Sequence, residues 1–342
     1  MNRIAVYHTA LRTIESVEES FAAPGRGEAL VLAKSSAISA GTELLYYRGH
    51  VGKAVPLDVS LPSLKGAAEY PFKYGYASVG RVGSLGAGTD EAWKGARVFA
   101  FHPHESAYSS PTDELIRLPD ELSDDDALFF ASMETAASIA MDASPIAGED
   151  VVVLGQGIIG LLTTSVLALH PLSSLTAIDL LPSRRASSLN FGADLALDPG
   201  LGPERILREA GLESGRADLV VELSGNPEAL NLALSLVGHE GRVVIGSWYG
   251  TKPVRIDLGT DFHRGRIKLI GSQVSSIGPS LTGRWDKRRR YSLVLSLLTE
   301  LEPSRLISHR FLAMNAKEAF ALLDKDAEGV GQVVLDYEGG GQ

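Results

Sequence analysis

The chain of 342 residues contains no cysteine. That excludes disulfides, a thiolate nucleophile and every cysteine-based zinc or iron–sulfur site. Positive charge is also short: 32 Lys and Arg stand against 42 Asp and Glu, a net charge of −10. Such a balance argues against a nucleic-acid partner, which needs a basic face. No apolar run reaches the roughly 20 residues of a membrane span. The longest, Ile158–Leu169, is explained by a buried helix. The start, Met1-Asn2-Arg3-Ile4-Ala5-Val6-Tyr7, lacks the apolar block of a signal peptide and reads as a first strand. The expectation is a cytoplasmic protein with a small-molecule substrate and with neither nucleic acid nor membrane as partner. Its 44% apolar and 22% charged residues are those of a globular chain, and its length suggests two domains.

What is present is most specific over Asp150–Asp194. Val151-Val152-Val153-Leu154 is the short apolar run of a buried parallel strand. Gly155-Gln156-Gly157-Ile158-Ile159-Gly160 follows at once and opens an apolar helix, Leu161–Leu169. A second strand, Leu175–Ile178, ends in Asp179, which follows Gly160 by 19 residues. The glycines allow a tight turn, approach of backbone to a pyrophosphate, and close packing of helix on strand. The helix N-terminus offers N–H groups to phosphates, and an acid about 20 residues on grips a ribose diol. Strand, glycine loop, helix, strand and acid together predict a dinucleotide site. The charge of Asp179 would repel a 2′-phosphate, so NAD is expected over NADP; Arg184 and Arg185 weigh the other way.

Before this unit, apolar runs punctuated by glycine (Ala29–Ala33, Gly80–Val82, Arg97–Phe101) predict a mostly β domain. Ser123 reads as the N-cap of one helix, Asp124–Met141. After the loop at Pro145–Glu149, strands and helices alternate as in a parallel sheet covered on both faces. The later strands are Leu219–Leu223, Arg242–Gly246 and Ile267–Ser272. A helix, Tyr291–Leu301, and a strand, Val333–Tyr337, then return to the first domain; the glycines at 339–341 read as a frayed tail. The expected division is 1–144 with 277–342 for the mostly β domain and 145–276 for the dinucleotide domain.

The helix with Glu134, the run Gly148-Glu149-x-Val151-x-Val153-x-Gly155-x-Gly157-x-x-Gly160, Glu222-Leu223-Ser224-Gly225 and Gly241-Arg242-Val243-Val244-Ile245-Gly246 together resemble the medium-chain dehydrogenase/reductase superfamily. The resemblance covers nearly the whole chain and is nearest the polyol and threonine dehydrogenase branch. Ser39-Ala40-Gly41-Thr42-Glu43-Leu44 and Gly75-Tyr76-Ala77-Ser78-Val79-Gly80 are also similar to the bacteriochlorophyllide hydroxyethyl dehydrogenase group. It implies an α/β fold, with a GroES-like, mostly β catalytic domain beside a Rossmann doubly wound parallel sheet, assembled as a homodimer or homotetramer. It also implies a nicotinamide cofactor held by Gly155, Gln156, Gly157, Ile158, Ile159, Gly160, Asp179, Arg184, Ser224, Gly246 and Ser247.

The departures concern zinc. Where zinc members of the superfamily carry a ligand cysteine before Gly-Ser/Thr-Asp, this chain has Ala40 before Gly41-Thr42-Glu43. Where they carry His-Glu after glycine, it has Tyr76 and Ala77; only Glu134 matches a remaining carboxylate position. One carboxylate does not hold a metal that needs three or four protein ligands, so no zinc is expected.

Hydride transfer to a carbonyl builds an alkoxide, which then needs a side-chain donor. Tyr76, at a former ligand position, Thr42, matching the family's proton-relay hydroxyl, and Glu134 are the catalytic candidates. The plain alternative for Tyr76 is to fill the space of the metal. A tyrosine of ordinary pKa, about 10, is a poor base at neutral pH and serves better as an acid. His102 and His104 could form a relocated metal site with Glu105 or Glu134, or a plain loop pair, and His50 is a loop residue or a relay. Arg284, Lys287, Arg288, Arg289 and Arg290, with Arg264 and Arg266, form either a solvated face or a site for an anionic substrate. Trp248, Tyr249 and Trp285 are pocket walls or ordinary packing. The expected function is zinc-independent hydride transfer between NAD(H) and an alcohol/carbonyl pair. Reduction of an activated double bond, or nucleotide binding without turnover, are the alternatives.

Overall fold

The computed structural model describes residues 1–52, 55–212, 215–325 and 328–337; the glycines at 339–341 lie outside them. The chain forms two compact units, Met1–Ala131 with Leu298–Gln342, and Ser132–Leu297.

The first unit is mostly β. Its main sheet runs in the order Ile307–Leu312, Gln332–Asp336, Glu28–Ile38, Ser78–Leu85, Arg97–Ala100, Leu115–Arg117, and Ala107–Pro111 also pairs with Glu28–Ile38. A smaller sheet joins Thr13–Ser20, Asn2–Ala10 and Phe72–Lys73. Alternating side chains such as Val31, Ala33, Val82 and Val98 fill the core with Phe320, Val333 and Leu335, all essentially without exposure. The strand Gln332–Asp336 lies antiparallel to Glu28–Ile38, with Val333 opposite Ile38, which returns the end of the chain to this unit.

Ser123 caps a helix as expected, accepting the N–H of Asp126 at 3.0 Å. That helix is not continuous to Met141, however. It ends at Ala127, and a second begins at Phe130 and runs to Ala143. Leu128, Phe129 and Phe130 are all buried, and three consecutive residues cannot share one face of a continuous helix. A tight turn, with the Phe129 N–H on the Asp126 carbonyl, re-aims the chain so that all three go inside.

The second unit is doubly wound α/β. Six strands pair in parallel in the order Leu195–Leu197, Ser174–Ile178, Asp150–Leu154, Ala217–Glu222, Val237–Ile245, Lys268–Gly271. Val151, Val152, Val153 and Leu154 are buried because helices cover both faces, which is why the strand reads as unbroken apolar sequence. The order reverses between Asp150–Leu154 and Ala217–Glu222. In open parallel sheets that switch point leaves a crevice at the C-terminal strand ends. No helix among the described residues is long and apolar enough to cross a membrane.

Candidate active site

The glycine loop lies at this switch point. Gly155 turns with φ +89°, and a Cβ there would lie 2.5 Å from Cα of Ser224. A Cβ on Gly160 would lie 1.9 Å from the Gly155 carbonyl oxygen, so both positions must stay bare for backbone to close on backbone. Gly157 differs: a Cβ there meets nothing within 4 Å. It is also the N-cap of the helix Ile158–Ala168 and brings no side chain to the first-turn N–H groups. Open space in front of uncapped N–H groups is what a phosphate requires.

Asp179 is tied to that loop. One carboxylate oxygen accepts the N–H of Gln156 at 2.6 Å and the other that of Leu181 at 2.9 Å. Each oxygen keeps a lone pair for a ribose hydroxyl. Arg184 stands 4.0 Å from the same carboxylate, whereas Arg185 is bound to the carbonyls of Asp179 and Leu180 and to Asp198. The Gln156 side chain turns inward to Thr164 and the Val153 carbonyl, so this residue faces a ligand only through its backbone.

The adjoining strand ends are held by Glu222. Its fully buried carboxylate accepts the N–H and O–H of Ser224 on one oxygen and the Tyr249 hydroxyl on the other. Burial first, and Glu222 second, push the Tyr249 phenol above its ordinary range. Ser247 accepts the N–H of Gly225 at 2.9 Å, and Lys252 donates to the Gly225 carbonyl at 2.8 Å. Gly246 is bare because a Cβ would press on Leu223 and Ile139 at 2.6 and 2.9 Å. Trp248 is largely exposed.

In the first unit, the half-buried Tyr76 donates its hydroxyl to Oγ of Ser39 and bonds Thr42 as well, so Tyr76 and Thr42 share one hydroxyl cluster. Burial pushes the Tyr76 phenol up to about 12, against the pull of the Ser39 and Thr42 hydroxyls. Tyr74 meets its ring edge-on at 6.1 Å, in a cluster with Tyr46, Leu57, Leu64 and Phe72. Glu134 belongs to the second unit, where its carboxylate is bound by the buried Arg290.

Arg290 thereby leaves the basic cluster. Arg289 lies over the Trp285 ring at 4.1 Å, and Arg266 pairs with Glu240 on the surface. The two candidate histidines also part. His102 stacks on Tyr108 at 3.6 Å, and burial pulls its pKa down to about 3. His104 instead meets Glu43 and Ser36 at 3.0 and 2.7 Å. Glu43 and Ser39 entered the sequence reading only as parts of a motif. An acid in the first helical turn, one place beyond the capping-box position and able to reach back to the N-cap N–H, was the available signal.

The zinc-binding dehydrogenase family matches residues 159–290. An uncharacterized zinc-type alcohol dehydrogenase-like protein, YphC of Escherichia coli (strain K12), is 27% identical over 98% of this chain and 98% of its own length. L-Threonine 3-dehydrogenase of Anaeromyxobacter sp. (strain K) is 27% identical over 66% of this chain and 62% of that enzyme. In fold, an alcohol dehydrogenase (rspB) of Escherichia coli CFT073, solved with its cofactor NADH, superimposes with a TM-score of 0.80. It is 19% identical, and the match covers 98% of this chain and 99% of that one. A mostly β unit and a doubly wound sheet with this glycine loop are the parts the chain shares with these dehydrogenases. Over nearly its whole length the chain is thus similar to dehydrogenases of the medium-chain type.

The donor set does not suit the zinc of its relatives. Ala40 and Ala77 offer no donor atom, the Tyr76 hydroxyl is bonded within its cluster, and Glu134 is bound to Arg290. Among the described residues no group of three or more His, Asp or Glu is placed to hold a metal ion.

Proposed function

We propose that this protein is a zinc-independent, NAD-preferring oxidoreductase acting on an alcohol/carbonyl pair. The observation that carries the reading is Asp179 fastened to the glycine loop, with open space at Gly157 and an uncapped helix N-terminus. The loop N–H groups would hold the pyrophosphate, and Asp179 the ribose diol, where a 2′-phosphate would meet its charge. Ser224, Gly225 and Ser247, fixed through Glu222, would border the nicotinamide. Bound there, a nicotinamide supplies a reversible source of hydride. Structures of this fold hold NADH in one case and NADP in another, so they support a nicotinamide cofactor, and the preference for NAD rests on Asp179.

The chain's own residues handle the proton. Tyr76, protonated at neutral pH and kept so by burial, would turn the O–H it donates to Ser39 toward the substrate oxygen. As charge grows on that oxygen the hydrogen bond strengthens, which is catalysis by differential binding. Ser39 and Thr42 can donate in turn to the phenol oxygen and steady the phenolate. A raised pKa keeps the phenol in its proton-bearing form and leaves little phenolate to act as a base, so we infer that Tyr76 serves carbonyl reduction. Glu134 is read as the anchor of Arg290.

Fluorescence titration with NADH and NADPH, followed by cofactor oxidation against a panel of ketones, enones and hydroxy acids, tests this function. Tighter NADH binding and turnover of a carbonyl are expected. A clear NADPH preference overturns the role of Asp179, and turnover of enones alone overturns the reaction class.

A further inference from the structure

The interior of the first unit holds a chain of polar groups that the proposed reaction does not use. Glu43 has no exposed surface, and an ionised carboxylate in that position is costly unless its oxygens are satisfied. Both are taken. Oε1 accepts the backbone N–H of Ser39 at 2.7 Å, and Oε2 meets Nε2 of His104 at 3.0 Å. On the far side of the imidazole, Nδ1 meets Ser36 Oγ at 2.7 Å, and Ser36 meets the Tyr337 hydroxyl at 2.8 Å. Ser36, His104 and Tyr337 are all buried, so the chain leads inward from Glu43.

Its outer end grips Tyr76 twice. The His104 ring lies directly on Gly75, where a Cβ would stand 2.8 Å from ring atoms, and Gly75 takes φ +112° to allow it. That contact leaves no room for a side chain at the residue before Tyr76. Glu43, reaching back from the first turn of the helix Ala40–Tyr47, holds the backbone of Ser39, whose hydroxyl accepts from Tyr76.

We propose that Glu43 and His104 form a buried positioning pair for Tyr76, fixing the direction in which its hydroxyl is offered to the substrate oxygen. The proposal rests on the reading of Tyr76 as proton donor. The pair does not touch substrate; it acts through Ser39 and Gly75. The charges that act on the phenol are those of Glu43 and Asp58, both of which raise its pKa, while the Ser39 and Thr42 hydroxyls lower it. A pair that only stabilised the fold would leave kcat for carbonyl reduction unchanged once folding was secured.

The test uses the full chain labelled with ¹³Cζ-tyrosine, the Tyr76 line being assigned by its loss in Tyr76→Phe. Glu43→Gln keeps the shape and the Ser39 contact but removes the charge, and His104→Gln removes the ring from Gly75. In both, the Tyr76 line is expected to shift at pH 8 while the lines of tyrosines remote from the pair stay in place. In His104→Gln, kcat for carbonyl reduction should fall about ten- to hundredfold with KM changed little, the signature of a misaligned donor. Glu43→Gln should keep more of kcat than Glu43→Ala. An unmoved Tyr76 line in folded Glu43→Gln and His104→Gln overturns the pair; should His104→Gln not fold, Glu43→Gln decides alone. Full turnover by Tyr76→Phe overturns the donor reading instead, and the line then still reports on the pair.

Discussion

Arg290 donates to Glu134 inside the second unit, with 1% and 5% of their surfaces exposed. The same guanidinium donates to Ser138 Oγ at 3.3 Å and to the carbonyls of Ser276 and Val274, so one side chain joins the helix Phe130–Ala143 to the segment before the helix Lys287–Leu301. The one carboxylate that the sequence resemblance offered to a metal is thus held by a permanent cation.

Removing one partner strands the other charge in the interior. Glu134→Ala or Arg290→Met alone should therefore cost about 3–5 kcal/mol, and the double variant less than the sum of the two. Urea denaturation of the four proteins checks this. A single-variant loss below about 1 kcal/mol would show that the pair is solvated.

The glycine loop yields a pair of opposed outcomes. Gly160→Ala places a methyl 1.9 Å from the Gly155 carbonyl oxygen and should lower thermal stability sharply. Gly157→Ser finds open space, and serine is a good N-cap, so the fold should hold. Its hydroxyl would occupy the N–H groups meant for phosphate, and NADH should bind about tenfold more weakly or worse. Unchanged NADH affinity in Gly157→Ser would place the pyrophosphate elsewhere.

These contrasts mark what was legible in the sequence. Val151–Leu154, the glycine loop and Asp179 are local in the chain, and each residue type has one physical reason to be there. The cap at Ser123 was legible for the same reason. The break after Ala127 was not, because it follows from three adjacent side chains all finding core, a tertiary fact that helical spacing does not contain. Arg290 was hidden by its neighbours: a run of basic residues reads as surface, and only packing shows that one of them turns inward. Glu43 and His104 lie 61 residues apart, and no spacing rule links them.

Asp179 should decide between cofactors. Asp179→Ser removes the charge that would repel a 2′-phosphate and leaves Arg184, now 4.0 Å from that carboxylate, free to bind one. The ratio of NADPH to NADH affinity should rise tenfold or more, which is about 1.4 kcal/mol. Competitive titration measures it. An unaltered ratio would mean that the acid only braces the loop through Gln156 and Leu181.

The donor chemistry also predicts behaviour toward metal. Purified enzyme should carry well under one zinc per chain, and carbonyl reduction should survive prolonged chelation. Elemental analysis with a matched activity assay checks both. About one zinc per chain, with activity lost on chelation and restored by zinc, would require ligands outside the residues considered above.

The pH profile follows from Tyr76. Its donor form is the neutral phenol, and burial pushes the pKa up to about 12, so that form persists across the whole working range and disappears only as pH rises through that value. Carbonyl reduction should therefore show no falling limb from Tyr76 between about pH 6 and 10. Alcohol oxidation needs the phenolate, whose fraction grows roughly tenfold per pH unit below the pKa, and should climb steadily over the same interval. Tyr76→Phe keeps the ring and removes the proton. It should lose about 10²–10⁴-fold in kcat for reduction while binding NADH normally, and its oxidation rate should lose the climb with pH. A wild-type reduction profile that falls between pH 7 and 9, with the same fall retained in Tyr76→Phe, would assign the proton to another group.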